Sequence, residues 1–253
     1  MTAPTHLYIV TGASRGLGFA MARQLLRPGN ALLCLSRGTN ADLARAAQDA
    51  GLSLEQWPAD LSDAAASATR LGAWLAGQAT AGIASATLIN NAAFLPPPVP
   101  LRDAAPQDTV AALRVGLEAP MLLTAAFLGA TREWTVPRKV LNISSGLGRR
   151  PMASQSAYCA MKAGIDLFTR CAALDEAALP NGARLCALAP GVIDTGMQAT
   201  LRGGDASRFP DVGRFAELHA GGRLASADQA AADVLAYLDR ADFGAEVLAD
   251  VRG

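Results

Sequence analysis

The sequence carries no net charge: 22 lysines and arginines stand against 22 aspartates and glutamates in 253 residues. No global field gathers nucleic acid or an anionic membrane, so any phosphate held by this chain must be gripped locally. Cysteine is scarce. Cys34, Cys159, Cys171 and Cys186 are too few and too scattered for a disulfide scaffold, and no pair has the CxxC spacing of a zinc or redox site. The two histidines, His6 and His219, stand apart, and spacing gives neither an acidic partner, so no metal site is expected. The N-terminus lacks a basic region followed by an apolar stretch, and no segment reaches the ~18 uncharged apolar residues of a membrane span. The expectation is a cytoplasmic, reducing setting with no nucleic-acid or membrane partner. Apolar residues are abundant, at 51% against 17% charged. That excludes disorder and suits one large core, with helix face left over for a subunit interface.

Short apolar runs alternate with helical periodicity along the whole chain. Strands are expected at Leu7 to Val10, Ala31 to Ser36, Leu52 to Trp57, Ala86 to Asn90, Lys139 to Ile143, Arg184 to Leu188 and Glu246 to Ala249. Helices are expected from Leu17 to Leu26, stopped by Pro28-Gly29, then over Ala41 to Ala50, Ala64 to Ala76, Pro106 to Ala130, Ser154 to Ala178 and Ala227 to Leu238. Repeated βα units close through right-handed crossovers. The fold class is therefore α/β: one doubly wound (Rossmann) parallel sheet with helices on both faces, a single domain over residues 1–253. Two irregular stretches, Phe94 to Pro100 and Thr195 to Gly222, follow strand ends, where ligands bind in such sheets. They read equally well as substrate-pocket walls with a lid at 195–222 or as variable surface loops.

Thr11-Gly12-Ala13-Ser14-Arg15-Gly16-Leu17-Gly18 falls between the first strand and the first helix. A dinucleotide pyrophosphate meets backbone N–H groups there, and side chains would block its approach. The second strand ends Cys34-Leu35-Ser36-Arg37, without the acid that would bond a ribose 2′-hydroxyl. Arg15 and Arg37 instead suit a 2′-phosphate, which favours NADP(H) over NAD(H). Farther along, Tyr158 and Lys162 are four residues apart and share a helical face, and Ser145 precedes Tyr158 by 13 residues at the end of a strand. A phenol ionises near pH ~10 and works poorly at neutral pH unless a nearby ammonium lowers that value. A serine hydroxyl at that place could support the oxygen that gains charge as a carbonyl is reduced.

These motifs, together with Asp60-Leu61, Asn90-Asn91-Ala92 and Pro190-Gly191-Val192-Ile193-Asp194-Thr195, resemble the short-chain dehydrogenase/reductases over essentially the whole length. The resemblance implies that Tyr158 is the acid-base, that Ser145 positions the carbonyl, and that Lys162 binds the nicotinamide ribose and tunes the tyrosine. It implies NADP(H) contacts from Gly12, Ser14, Arg15, Gly16, Leu17 and Gly18, from Ser36 and Arg37, and from Asp60 and Leu61 beside the adenine. Asn90 and Ala92 would lie by the adenosine, Pro190, Gly191 and Val192 would line the site, and Thr195 would hold the carboxamide. Ala119-Pro120-Met121-Leu122-Leu123, Ala157-Tyr158-Cys159 and the words around Pro190 to Gln198 look like the sepiapterin reductase and bacterial benzil reductase branch. The implied activity is reduction of a small ketone or α-diketone. The alternatives are an alcohol dehydrogenase running in the oxidative direction, or a cofactor-binding regulatory protein with impaired catalysis. A homodimer or homotetramer through the two long apolar helices is a further expectation.

Three departures from the family pattern stand out. Ala93 replaces the glycine of NNAG, which is tolerable where φ is negative. Gly116 stands where many members carry an asparagine linked through water to the lysine, so the proton relay is weakened or replaced, or the glycine simply permits close helix packing. Leu248 aligns with the aspartate by which sepiapterin reductases anchor the pterin, with Asp250 two residues away.

Overall fold

The run Leu7-Tyr8-Ile9-Val10 forms the middle of β1 (Thr5–Thr11), where all four side chains are buried because strands pair on both sides and helices cover both faces. The computed structural model describes residues 5–253. After β1 come α1 (Gly16–Leu25), β2 (Asn30–Ser36), α2 (Ala41–Ala50), β3 (Ser53–Pro58), α3 (Ala64–Ala76) and β4 (Ile83–Asn90). The chain continues through α4 (Pro106–Leu113), α5 (Ala119–Ala130), β5 (Arg138–Ile143), α6 (Ser156–Ala177) and β6 (Arg184–Ala189). It closes with α7 (Gly196–Arg202), α8 (Val212–Ala220), α9 (Ala227–Leu238) and β7 (Leu248–Asp250).

All the strands are parallel, in the order β3-β2-β1-β4-β5-β6-β7. The winding reverses between β1 and β4, and this opens a crevice beyond their carboxyl ends. One apolar layer joins the sheet to α1 and α9 through Met21, Leu25, Val234 and Leu238; the other joins it to α3 and α5 through Leu71, Leu75, Leu123 and Phe127. The doubly wound α/β expectation is met, and α2, α3 and α9 have the expected bounds. Caps explain two of those edges: Asn40 accepts from the Leu43 N–H at 2.9 Å and Ser226 from the Gln229 N–H at 3.1 Å.

Two expectations need correction. The long helix Pro106 to Ala130 is interrupted by a π turn at Arg114–Glu118, centred on the buried Gly116. That whole helical stretch, with a mean hydropathy of 1.5 in its most apolar window, is long and apolar enough to cross a membrane by length and composition. The longest uncharged run there, Ala119 to Thr131, is shorter than the expected span length, and α5 spends one face packing on α3 inside the fold. Thr195 to Gly222 is not irregular throughout, since it holds α7 and α8. Leu201, Phe209 and Phe215 form a small third cluster there, packed by Leu95 and Met152 from neighbouring loops.

Candidate active site

The glycine loop has the geometry its sequence demands. Gly12 (φ +70°) and Gly16 (φ +58°) are in the left-handed region, which glycine adopts without strain. A Cβ on Gly18 would lie 2.3 Å from the Gly12 carbonyl oxygen, so the first turn of α1 packs directly on the loop. At Gly16 the only neighbour such an atom would meet is Thr195 Cγ2 at 3.8 Å, which places the loop opposite the segment after β6. No side chain caps α1, so its first N–H groups are left for a ligand. Arg15 and Arg37 are both exposed, Ser36 is buried, and the charge of Arg37 together with hydrogen bonds from Ser62 holds the Asp60 carboxyl below its ordinary range, the Ser62 bonds being the larger cause. This cradle fits a dinucleotide: an uncapped helix end, an open glycine and two arginines with no acid closing β2.

Asn90 departs from expectation. Its carboxamide donates to Asn142 Oδ1 at 2.8 Å and Thr124 Oγ1 at 3.1 Å inside the fold, which leaves its backbone to face a cofactor. The residue that serves the loop is Asn91, whose Nδ2 donates to the Thr11 carbonyl at 3.0 Å, while Thr11 Oγ1 accepts from the N–H groups of Asn91 (2.9 Å) and Ala92 (3.0 Å). The signal was present in the sequence as a second amide beside a threonine-terminated strand. Ala93 does not have positive φ, so its methyl is accommodated.

Ser145, Tyr158 and Lys162 come together as the spacing required. Ser145 follows β5 and caps a short turn, accepting from the Leu147 N–H at 3.1 Å. Its hydroxyl also bonds the Tyr158 phenol and lowers that group's pKa, but burial outweighs the bond and pushes the phenol up to about 12. Lys162 is buried and donates to the Ile143 carbonyl at 2.7 Å; its Nζ lies 5.8 Å from the centroid of the Tyr158 ring. Burial pulls the ammonium down to about 8, with Asp166 opposing. The expected lowering of the tyrosine by the lysine is thus not the dominant effect, because both groups lie in a poorly solvated wall and the ammonium is tied to a backbone oxygen rather than to the phenol.

Gly116 is explained by Met161. A Cβ at position 116 would fall 1.8 Å from Met161 Sδ, and Met161, next to Lys162, is fully buried. Gly164 of α6 reciprocates, because a Cβ there would meet Leu117 Cδ2 at 2.9 Å. The π turn and α6 are interlocked at these two glycines, which favours the close-packing reading.

The two loop stretches do meet. A cavity of about 400 Å³ opens between Pro97, Pro98 and Val99 on one side and Thr200, Gly204 and Arg208 on the other. Ser145, Tyr158 and Lys162 do not line it. Ser154, the one non-glycine residue at positive φ (+61°) among those described, donates its hydroxyl to the Arg208 carbonyl at 2.6 Å. Arg208 also reaches Asp103 at 3.5 Å. His219, expected to lack an acidic partner, lies 3.9 Å from Asp194, which also pairs with Arg202 at 3.1 Å; chain reversal between α7 and α8 makes a contact that spacing could not reveal. Asp250 is engaged by Arg252 at 2.6 Å, and Leu248 lies in β7, so neither offers a free carboxylate to a pterin.

Comparison with known proteins converges on one family. The family model for short chain dehydrogenase matches residues 6–206. A benzil reductase ((S)-benzoin forming) of Bacillus cereus is 34% identical over 93% of this chain and 94% of its own. A sepiapterin reductase of Meriones unguiculatus is 31% identical over 93% of this chain and 92% of its own. Among solved structures, one from Beutenbergia cavernae, assigned as an NAD(P)-dependent gluconate 5-dehydrogenase and holding NADP, is 27% identical, with a TM-score of 0.80 over 97% of this chain and 94% of its own.

Proposed function

The chain belongs to the short-chain dehydrogenase/reductase family, and from that membership we propose that it is an NADPH-dependent carbonyl reductase acting on a small aryl ketone or α-diketone. The observation that carries this reading is the convergence of Ser145, Tyr158 and Lys162 beside an open glycine cradle. Bound in the glycine cradle, NADPH would supply the hydride for the carbonyl carbon. The protein's own groups do the rest: Tyr158 holds a proton at its hydroxyl for the carbonyl oxygen, Ser145 donates a hydrogen bond to that oxygen as charge develops, and Lys162 holds the ribose. A phenol pushed up to about 12 holds its proton at neutral pH, in place for the carbonyl oxygen. Likeness to benzil reductase, together with the absence of a free carboxylate at Leu248 or Asp250, favours diketones over pterins.

The 195–222 segment serves as the lid over this site, with Phe94 to Pro100 as its facing wall. Val110, Leu113 and Met121 on the α4–α5 stretch and Leu167 and Leu174 on α6 are exposed, apolar surface suited to a homodimer or homotetramer contact.

The test is NADPH consumption, with NADH alongside, over benzil, 1-phenyl-1,2-propanedione, diacetyl, sepiapterin and a simple aryl ketone. Turnover of the aryl diketones with NADPH preferred is expected; silence across the panel rejects the reading. Arg37→Ala is expected to raise the KM for NADPH roughly ten- to a hundredfold, the worth of a charged hydrogen bond. The KM for NADH should stay within about twofold. Equal loss for both cofactors would remove Arg37 from 2′-phosphate recognition.

A further inference from the structure

Asp166 lies on α6 one helical turn beyond Lys162 and is 5% exposed, a buried carboxylate that the chemistry above does not use. Its two oxygens are both engaged. One accepts a short hydrogen bond from the Ser144 hydroxyl, and the other accepts from Arg149 Nε at 3.2 Å. Ser144 immediately precedes Ser145, and Arg149 closes the turn that Ser145 opens. Arg149 extends the tie to the sheet edge, donating to the Ala249 carbonyl at 3.1 Å. Between them Gly148 lies flat on α6: a Cβ there would be 2.9 Å from Asp166 Oδ2 and 2.9 Å from the Lys162 carbonyl oxygen. The serine turn therefore has no spacer of its own and takes its height above α6 from this carboxylate.

We infer that Asp166 is a positioning residue: its carboxylate clamps the turn bearing Ser145 onto the helical turn bearing Lys162. The clamp acts through Ser144 and Arg149, and the charge acts through space along α6. The inference rests on the reductase reading for what the clamped groups do, but the clamp itself is a matter of geometry. Tyr158 on the same helix faces Lys162, its ring centroid 5.8 Å from Nζ, and Asp166 is the charged group that acts on the ammonium; Arg149 from the serine turn is held on Asp166 and also acts on Asp250 of β7. The π turn meets α6 through Gly116 on Met161 and Leu117 on Gly164, while its charged residues, Arg114 and Glu118, are exposed.

The sign of the electrostatic effect is fixed. Lys162 has been drawn down to about 8 by burial while Asp166 resists, so removing the carboxylate's charge lowers it further. The experiment compares wild type, Asp166→Asn, Ser144→Ala and Lys162→Met by two readouts. The first is kcat and KM for benzil with NADPH across pH. The second is the NADPH dissociation constant by fluorescence across the same range, which needs no substrate. In the wild type binding should weaken as pH rises through the lysine's titration, and Lys162→Met should lack that limb.

Asp166→Asn should move the limb about one pH unit lower and cut kcat roughly ten- to a hundredfold with KM little changed. Ser144→Ala, which loses the tie but keeps the charge, should lower kcat without moving the limb. An Asp166→Asn protein with wild-type kcat and an unmoved limb overturns the inference. Should that variant fail to fold, an unimpaired kcat in Ser144→Ala overturns it instead. A wild type inactive on every carbonyl offered would defeat the reductase reading alone, since the binding limb still decides the role of Asp166.

Discussion

Replacing Tyr158 by phenylalanine is expected to abolish measurable reduction, with kcat falling roughly 10²- to 10⁴-fold, the usual worth of a positioned proton donor. NADPH affinity should stay within about threefold of wild type, because the ring remains and only the hydroxyl is lost. The structure makes this a clean experiment. The phenol bonds the Ser145 hydroxyl, which also accepts from the Leu147 N–H, so the serine keeps a partner when the phenol is gone. The lysine is tied to the Ile143 carbonyl rather than to the phenol and is not left unpaired either. Stopped-flow NADPH oxidation beside fluorescence-detected binding separates the two effects. Reduction at more than about a tenth of the wild-type rate would take the proton-donor role away from Tyr158.

The second large effect is expected at Gly116. Gly116→Asn would bring the residue into line with many relatives, yet it should damage this protein, because the new Cβ starts 1.8 Å from Met161 Sδ in a fully buried contact. Overpacking of this kind costs about 1–3 kcal/mol. In a chain of this size each kcal/mol lowers Tm by about 2–4 °C. The displaced segment is the one next to Lys162, so activity should fall with stability. Shortening the neighbour should compensate: Gly116→Asn combined with Met161→Ala should lose less than the two single changes added together, by at least about 1 kcal/mol. Thermal melts of the four proteins form the cycle. Simple additivity would mean that Met161 is not what excludes a side chain at position 116.

Most of the sheet was legible in the sequence, for a reason visible at Leu7 to Val10 and Leu185 to Leu188: strands covered on both faces are uninterrupted apolar runs. The glycine loop was equally legible, since backbone conformation there admits almost no other residue. Tyr158 and Lys162 were legible because a helix converts a spacing of four directly into a shared face. What escaped notice depended on contacts between distant segments. The fit of Met161 against Gly116 joins α6 to the π turn and has no counterpart in local spacing. Asn90 and Asn91 exchanged their expected importance, because which amide points into the sheet follows from strand register, one residue's difference reversing the face. Asp166 and His219 had no visible partners in sequence, since Ser144, Arg149 and Asp194 reach them only through the fold. The helices inside Thr195 to Gly222 were hidden by paired glycines at 203–204 and 221–222, which proved to be helix endings rather than signs of loose chain.

Ser154 ties the α7–α8 connection to the start of α6. A serine at φ +61° stands in a conformation that costs free energy, and its hydroxyl is bound to the carbonyl of Arg208 on the α7–α8 connection. The same serine leads directly into α6, four residues before Tyr158. Displacing the connection would break that bond and free the residue to relax toward negative φ. On the proposed lid reading, the 195–222 segment is thus hung on the helix that carries Tyr158, and its movement would be felt at the end of α6 nearest that side chain.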